Sequence, residues 1–117
     1  MFCELIGLST AEFSKELYMS DSEVRELISK GMYVGSHGSM HYWFDKISPE
    51  EQEKDIKQSL KFLESVGAPT KDWVMCYPYG AHNDSTLSLL KKFEEERLKI
   101  EVEREELMEL LSQNNQN

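Results

Sequence analysis

Capped helical segments alternate with short apolar runs along this chain, and that alternation narrows the folds it can adopt. Serine with glutamate three residues later, the spacing of a capping box, marks helix starts at Ser9, Ser20 and Ser48. The apolar runs between helices are short enough to predict strands. They lie at 2–8, 32–36 and 73–77. Strands that alternate with helices predict βα units on a parallel sheet, so an α/β fold is expected.

The two longest predicted helices rest on different signals. The first begins at Ser48, has Pro49 in its first helical position and stops at Gly67. Its apolar stripe consists of Ile56, Leu60, Leu63 and Val66. The second runs from about Asp84 to Ser112, because its residue types favour helix. Apolar residues at 98, 100 and 102 alternate with period two, so a strand there is the rival prediction.

Charge and hydropathy exclude several classes of partner. The chain has 22 acidic and 13 basic residues, a formal net charge of −9. Nucleic acids and anionic membranes bind basic surfaces, so neither is expected as a partner. The sequence has no apolar run near the ~20 residues that span a bilayer, and its first residues do not resemble a signal peptide. A cytoplasmic location is therefore expected. Cys3 and Cys76 form no metal or disulfide motif, and Cys76 is expected to be a reduced, buried, small side chain.

Two histidines follow the second predicted strand in a loop rich in glycine and serine. His37 and His41 are four residues apart, so on one turn of chain both rings can face a single divalent ion such as Zn²⁺. Such a pair is also common as ordinary polar loop residues. Ligands of parallel α/β folds sit at the carboxyl ends of the strands, and this placement favours the metal-binding interpretation.

A second turn follows the third predicted strand, in Cys76-Tyr77-Pro78-Tyr79-Gly80. Proline and glycine flank Tyr79 and could hold its backbone N–H toward a developing oxyanion. The alternative is an ordinary strand-ending turn with an aromatic cover.

Taken together, the two motifs resemble those of the polysaccharide deacetylase family over Met19 to Lys92. The family's histidine motif usually has Ser or Thr where this chain has Gly38, and its Arg-x-Pro-x-Gly motif begins here with Cys76. The resemblance implies a partial, distorted (β/α) barrel. It divides the chain into a partial deacetylase domain at 1–93 and a charged helical extension with a polar tail at 94–117.

The resemblance also implies roles for individual residues. His37 and His41 would be ligands of a divalent metal, with zinc expected. The Tyr79 backbone N–H would stabilise the oxyanion, and Tyr77, Pro78 and Gly80 would complete the substrate-binding turn. The expected substrate is an N-acetylated sugar polymer or glycolipid, whose non-peptide C–N bond is hydrolysed.

Two groups of family motifs are missing from these residues. The late motifs, which supply a histidine acid and the aspartate that orients it, would lie beyond Lys92, where the sequence has neither His nor Asp. The family's Thr-Phe-Asp-Asp-Gly segment supplies the general base and a third metal ligand, and this sequence contains no Asp-Asp pair. Asp45, His82 and Asp84 are the local residues that could fill the gap. The sequence is therefore interpreted as the middle portion of a longer deacetylase, with little turnover expected from it alone.

Two other classes of function stay open. A non-catalytic carbohydrate-binding module could use the aromatics of the two loops to stack on sugar rings. These are Tyr42, Trp43, Tyr77 and Tyr79. An interaction protein could instead self-associate through Leu107, Leu110 and Leu111 of the C-terminal helix.

Overall fold

The computed structural model describes Gly7 and residues 9–115, and the strand predicted at 2–8 lies outside those residues apart from Gly7, which is in a turn. The described residues form four α-helices and two 3₁₀ turns. The α-helices are α1 (Thr10–Leu17), α2 (Asp21–Ser29), α3 (Pro49–Val66) and α4 (Asp84–Asn114). The 3₁₀ turns are Phe44–Lys46 and Pro78–Gly80.

Local capping signals set the helix starts as predicted. Ser9, Ser20 and Ser48 each accept a hydrogen bond from the backbone of the glutamate three residues on, and each glutamate side chain accepts from the serine N–H. These reciprocal bonds satisfy amides that the first helical turn leaves without a partner. Gly67 ends α3 in the left-handed conformation at φ 80°, which glycine adopts without a Cβ clash.

The predicted α/β fold, a partial distorted (β/α) barrel, is wrong for the described residues. Residues 32–36 and 73–77 are extended, but they meet only in one parallel bridge between Ser36 and Met75, and no strand forms in residues 9–115. A strand needs partners along its length, and a two-stranded pair is marginal without further strands or a packed face. The apolar runs correctly indicate segments that pack against the core, but they do not determine whether those segments pair into a sheet.

The core lies between α3, the loop before it and the first turns of α4. Its centre is Phe44 and Ile56, both fully buried. Three further residues of the predicted α3 stripe and two residues outside α3 complete the buried cluster. They are Leu60, Leu63, Val66, Ala68 and Phe93. Helix α2 covers one edge through Val24 and Ile28.

A buried polar network joins α3 to the start of α4. The Thr86 hydroxyl donates to Gln52 Oε1 over 2.6 Å, and both residues are 0% exposed. Asn83 caps α4 by accepting from the Thr86 N–H at 3.1 Å, and Gln52 Nε2 also reaches Asn83 Oδ1 at 3.4 Å. The network therefore fixes the residues that directly follow the Pro78–Gly80 turn.

Helix α4 is continuous over 31 residues, which confirms the long-helix prediction and makes the rival strand near Ile100 wrong. At 1.5 Å per residue it is about 46 Å long. Phe93 packs in the core, whereas the apolar side chains beyond Arg97 are exposed. No helix in the described part of the chain is long and apolar enough to cross a membrane. The domain division at Phe93 and the cytoplasmic location stay predictions.

Candidate functional site

One bridge brings the two predicted site loops together. The Ser36 N–H donates to the Val74 carbonyl at 2.8 Å, and the Cys76 N–H donates to the Ser36 carbonyl at 2.9 Å. The next residue on one side is His37, and on the other side the chain continues into the Tyr77–Gly80 turn. Their meeting at one edge is what strand order had predicted, although the sheet itself is absent from the described residues.

The two histidine rings face each other across a short gap. Nε2 of His37 lies 3.2 Å from Nε2 of His41, and the ring centroids are 4.9 Å apart. Nδ1 of His37 lies 2.7 Å from the Cys76 carbonyl oxygen. A carbonyl only accepts hydrogen bonds, so this Nδ1 carries the proton and Nε2 presents its lone pair. With His37 in that tautomer, its Nε2 accepts from the Nε2–H of His41, and both Nε2 atoms could ligate one cation only after the His41 proton moves to Nδ1.

The distance between the two Nε2 atoms is close to the distance between two nitrogen ligands of a tetrahedral metal ion. Zinc–nitrogen bonds of about 2.0–2.1 Å at a tetrahedral angle place two ligand nitrogens about 3.3 Å apart. The 3.2 Å separation of the Nε2 atoms is close to that value. Carbonyl support of the opposite ring nitrogen is also the usual way in which a metal-ligating histidine is oriented.

The turn with Tyr79 packs against this pair. Tyr79 has the left-handed φ of 58°, and its ring lies 5.0 Å from the His41 ring and stacks on Trp43 with centroids 4.4 Å apart. Pro78 is buried, which anchors the turn. Among the hydrogen bonds within residues 9–115, none uses the Tyr79 N–H.

Comparison with known proteins assigns the chain to a family. The family model described as polysaccharide deacetylase matches residues 8–97. The chain belongs to the polysaccharide deacetylase family. It is 21% identical over 75 residues to a Bacillus subtilis (strain 168) protein named provisionally as the polysaccharide deacetylase YxkH. That match covers 64% of this chain and 26% of the relative, so the chain spans about a quarter of that relative's length. No solved structure matches the chain.

The three local residues considered as further metal ligands in this deacetylase-family chain do not join the histidine pair. His82 stacks on Tyr77 with centroids 4.6 Å apart, and its Nδ1 contacts the Gly80 carbonyl at 3.1 Å. Asp45 pairs with Lys46 at 3.7 Å, and Asp84 lies in the first turn of α4. Within the described range, no group of three or more His, Cys, Asp or Glu side chains could hold a metal ion.

The prediction that Cys76 is buried is wrong, because its side chain is exposed. Cys76 contributes to the site through its backbone, whose carbonyl holds His37. Trp73 and Met75 pack against the core, whereas Val74 and Cys76 are exposed, as expected for alternate residues of an extended segment.

Sequence reasoning missed Asp55, which contacts the histidine loop from α3. Its carboxylate accepts hydrogen bonds from the Ser39 and Met40 amides at 2.9 and 2.8 Å. The signal was present in the sequence: Gln52, Asp55 and Ser59 recur at helical spacing beside the apolar stripe, and all three are buried. Polar residues on the buried side of a helix require partners, and the partner of Asp55 is the histidine loop.

Proposed function

We propose that His37 and His41 bind a divalent metal, zinc in the first instance, and that the neighbouring turn serves the hydrolysis of the acetamide C–N bond of N-acetylated sugars or glycolipids. The observation that carries the proposal is the 3.2 Å approach of two imidazole Nε2 atoms beside the Tyr79 turn. Membership of the deacetylase family supports the substrate class.

The chain's own residues have distinct parts in this proposal. The Cys76 carbonyl holds the proton of His37 on Nδ1, so that Nε2 is free to ligate. The Tyr79 N–H donates to the oxygen that gains charge when the acetyl carbonyl is attacked, and a fixed donor of this kind stabilises such an oxyanion. Pro78 and Gly80, with φ of 67° at Gly80, shape the turn, and Tyr77 borders it.

A bound divalent ion would supply Lewis-acid polarisation of the carbonyl and a lowered pKa for its water. Catalytic zinc sites normally use three protein ligands. These 117 residues contain no Asp-Asp pair, so we expect the chain alone to bind zinc through two histidines and to release little acetate.

The test of the metal site is titration of the full chain with Zn²⁺ in competition with a chromophoric chelator. His37→Ala and His41→Ala are each expected to weaken binding by at least about tenfold. His82→Ala is the matched control, since it removes the third histidine, which lies beside the same turn, and should leave the affinity unchanged. Equal zinc affinity in all four proteins would contradict the proposal.

Turnover is tested separately, with N-acetylglucosamine oligomers as substrate and released acetate as the product measured. We expect release close to background with zinc present. Robust release by the 117-residue chain would show that the assignment of a two-histidine, weakly active site is wrong.

A second candidate function, a non-catalytic sugar-binding module, is favoured by the exposed aromatic pair. Trp43 and Tyr79 stack on each other yet stay 48% and 63% exposed, so much of their surface is accessible to a sugar ring. Sugar binding that survives both chelator and His37→Ala, but not Trp43→Ala, would favour this function over deacetylation.

Self-association through α4 is the third proposal, and it rests on the exposure of Leu107, Leu110 and Leu111. A truncation at Lys92 would be a poor test, because Phe93 belongs to the core. The better test is sedimentation of the full chain with Leu107→Ser and Leu111→Ser. An unchanged oligomeric state would remove α4 from consideration as an interface.

A further inference from the structure

A buried carboxylate contacts the loop that separates the two histidines. Asp55 lies on α3 and is 2% exposed. Its Oδ1 accepts the Ser39 N–H at 2.9 Å, and its Oδ2 accepts the Met40 N–H at 2.8 Å. Both amides belong to the three residues between His37 and His41, so the carboxylate holds the segment that sets the spacing of the rings.

These two bonds account for the burial of the charge. A carboxylate removed from water is strongly destabilising unless hydrogen bonds or an opposite charge compensate it. None of the salt bridges in the described part of the chain involves Asp55. Bonds from N–H groups to an ionised acceptor are short and about twice as strong as neutral ones. The loop amides are therefore strongly held.

The loop backbone lies directly against this carboxylate. A Cβ added at Gly38 would come within 3.0 Å of Asp55 Oδ1 and 3.5 Å of Phe44 Cε2. Gly38 has the left-handed φ of 78°, which suits glycine, whereas the family's usual Ser or Thr would be strained there. The Ser36 hydroxyl accepts the Gly38 N–H at 3.2 Å and completes the support.

This support explains how His41 keeps an unfavourable backbone conformation. Its φ is 57°, in the left-handed region that costs a non-glycine residue of order 1 kcal/mol. Such a conformation persists only where neighbouring contacts fix the chain on either side. The amide of Met40, the residue directly before His41, is one of the two that Asp55 holds.

We propose that Asp55 is a positioning residue for the histidine pair: its carboxylate, through the Ser39 and Met40 amides, keeps the His37 and His41 Nε2 atoms close enough to share one cation. The functional role of Asp55 rests on the metal site proposed above. The hydrogen bonds from Asp55 and the spacing of the two rings are features of the chain itself. Asp55 itself touches neither metal nor substrate.

The first experiment compares Asp55→Asn with Val66→Ala in the full chain. The asparagine has the shape of aspartate but offers one acceptor oxygen and turns an NH₂ toward the second amide. Val66 lies at the far end of the same helix and is 4% exposed, so its truncation destabilises the fold without touching the loop. We expect Asp55→Asn to weaken Zn²⁺ binding about 10- to 100-fold and Val66→Ala to change it less than about threefold. Where the wild type binds Zn²⁺, an equal affinity in Asp55→Asn, or an equal loss in both variants, would overturn the proposal.

The second experiment measures hydrogen exchange and histidine ¹⁵N shifts in the wild-type chain, so it requires neither zinc nor a variant that folds. In the wild-type chain, the Ser39 and Met40 amides are expected to resist hydrogen exchange, and the ¹⁵N shifts of His37 are expected to report a single tautomer protonated at Nδ1. Unprotected amides would overturn the role of Asp55 even if Asp55→Asn does not fold. If the wild type binds no zinc while these amides are protected, the proposed metal site fails and the positioning role stands.

Discussion

The hydroxyl of Thr86 offers a quantitative test of how α3 and α4 are held together. Thr86→Val keeps the side-chain shape and removes the donor that Gln52 Oε1 accepts at 2.6 Å. The oxygen is then buried without that donor, which costs about 1–3 kcal/mol. The substitution also removes the hydroxyl that accepts the Asn83 N–H in the helix cap, worth about 1 kcal/mol more.

We therefore expect Thr86→Val to destabilise the fold by about 2–4 kcal/mol. With a urea dependence of about 1.5 kcal/mol per M, the unfolding midpoint moves down by about 1.3–2.7 M. Circular dichroism of α-helix content against urea measures the shift. Thr86→Ser is the matched control, since it keeps the hydroxyl and loses one methyl, at about 1 kcal/mol.

A double-mutant cycle with Gln52→Leu isolates the contact itself. Removing both partners leaves no orphaned acceptor at this contact, so the double variant should be more stable than the sum of the single effects predicts, by about 1–2 kcal/mol. The reasoning is refuted if Thr86→Ser is less stable than Thr86→Val, or if the coupling energy is indistinguishable from zero.

Three further substitutions test other parts of the fold. Phe44→Ala empties the centre of the core below the histidine loop and should cost about 3–5 kcal/mol by urea unfolding; a loss below about 1 kcal/mol would mean that Phe44 is not packed there. Gly67→Ala puts a side chain at φ 80° and should cost about 1 kcal/mol although no atom lies within 4 Å of the new Cβ; an equally stable variant would show that α3 ends differently. The Lys57 ammonium, hydrogen-bonded to Glu53, and Lys92 nearby hold the pKa of Glu53 below its ordinary 4.5. Because that pKa is lower in the folded chain, the stabilisation is present above about pH 4.5 and is lost as the pH falls through the folded value. The difference in stability between wild type and Glu53→Gln should therefore shrink below about pH 4.5, and a difference that grows on acidification would contradict it.

Local signals in the sequence were sufficient to predict the helices. The three serine capping boxes act within four residues, so no tertiary context is needed to recognise them, and all three form. In α4, residue types that favour helix and pairs such as Lys99 with Glu103 prevail over the short alternation at 98–102.

The sheet and part of the site depend on contacts that the sequence pattern does not contain. An apolar run at 73–77 shows that a segment packs, but only a partner makes it a strand, and here one bridge is all that forms within the described residues. The apolar stripe of α3 does not point to Asp55, because its partners are loop amides 15 and 16 residues earlier in the chain. The histidine pair and the Tyr79 turn do meet, as the position of both loops after successive apolar runs predicts, whereas their metal and substrate stay proposals.

The single bridge between Ser36 and Met75 has a consequence for ligand affinity. Two backbone hydrogen bonds and the bond from His37 to the Cys76 carbonyl join the histidine loop to the Tyr79 turn, so we expect this junction to open locally while the helices stay folded. Only molecules with the junction closed present both halves to a ligand, and the apparent dissociation constant rises in inverse proportion to the closed fraction. We expect a molecule that touches both halves to favour the closed junction, and slower hydrogen exchange of the Ser36 and Cys76 amides would measure that closure.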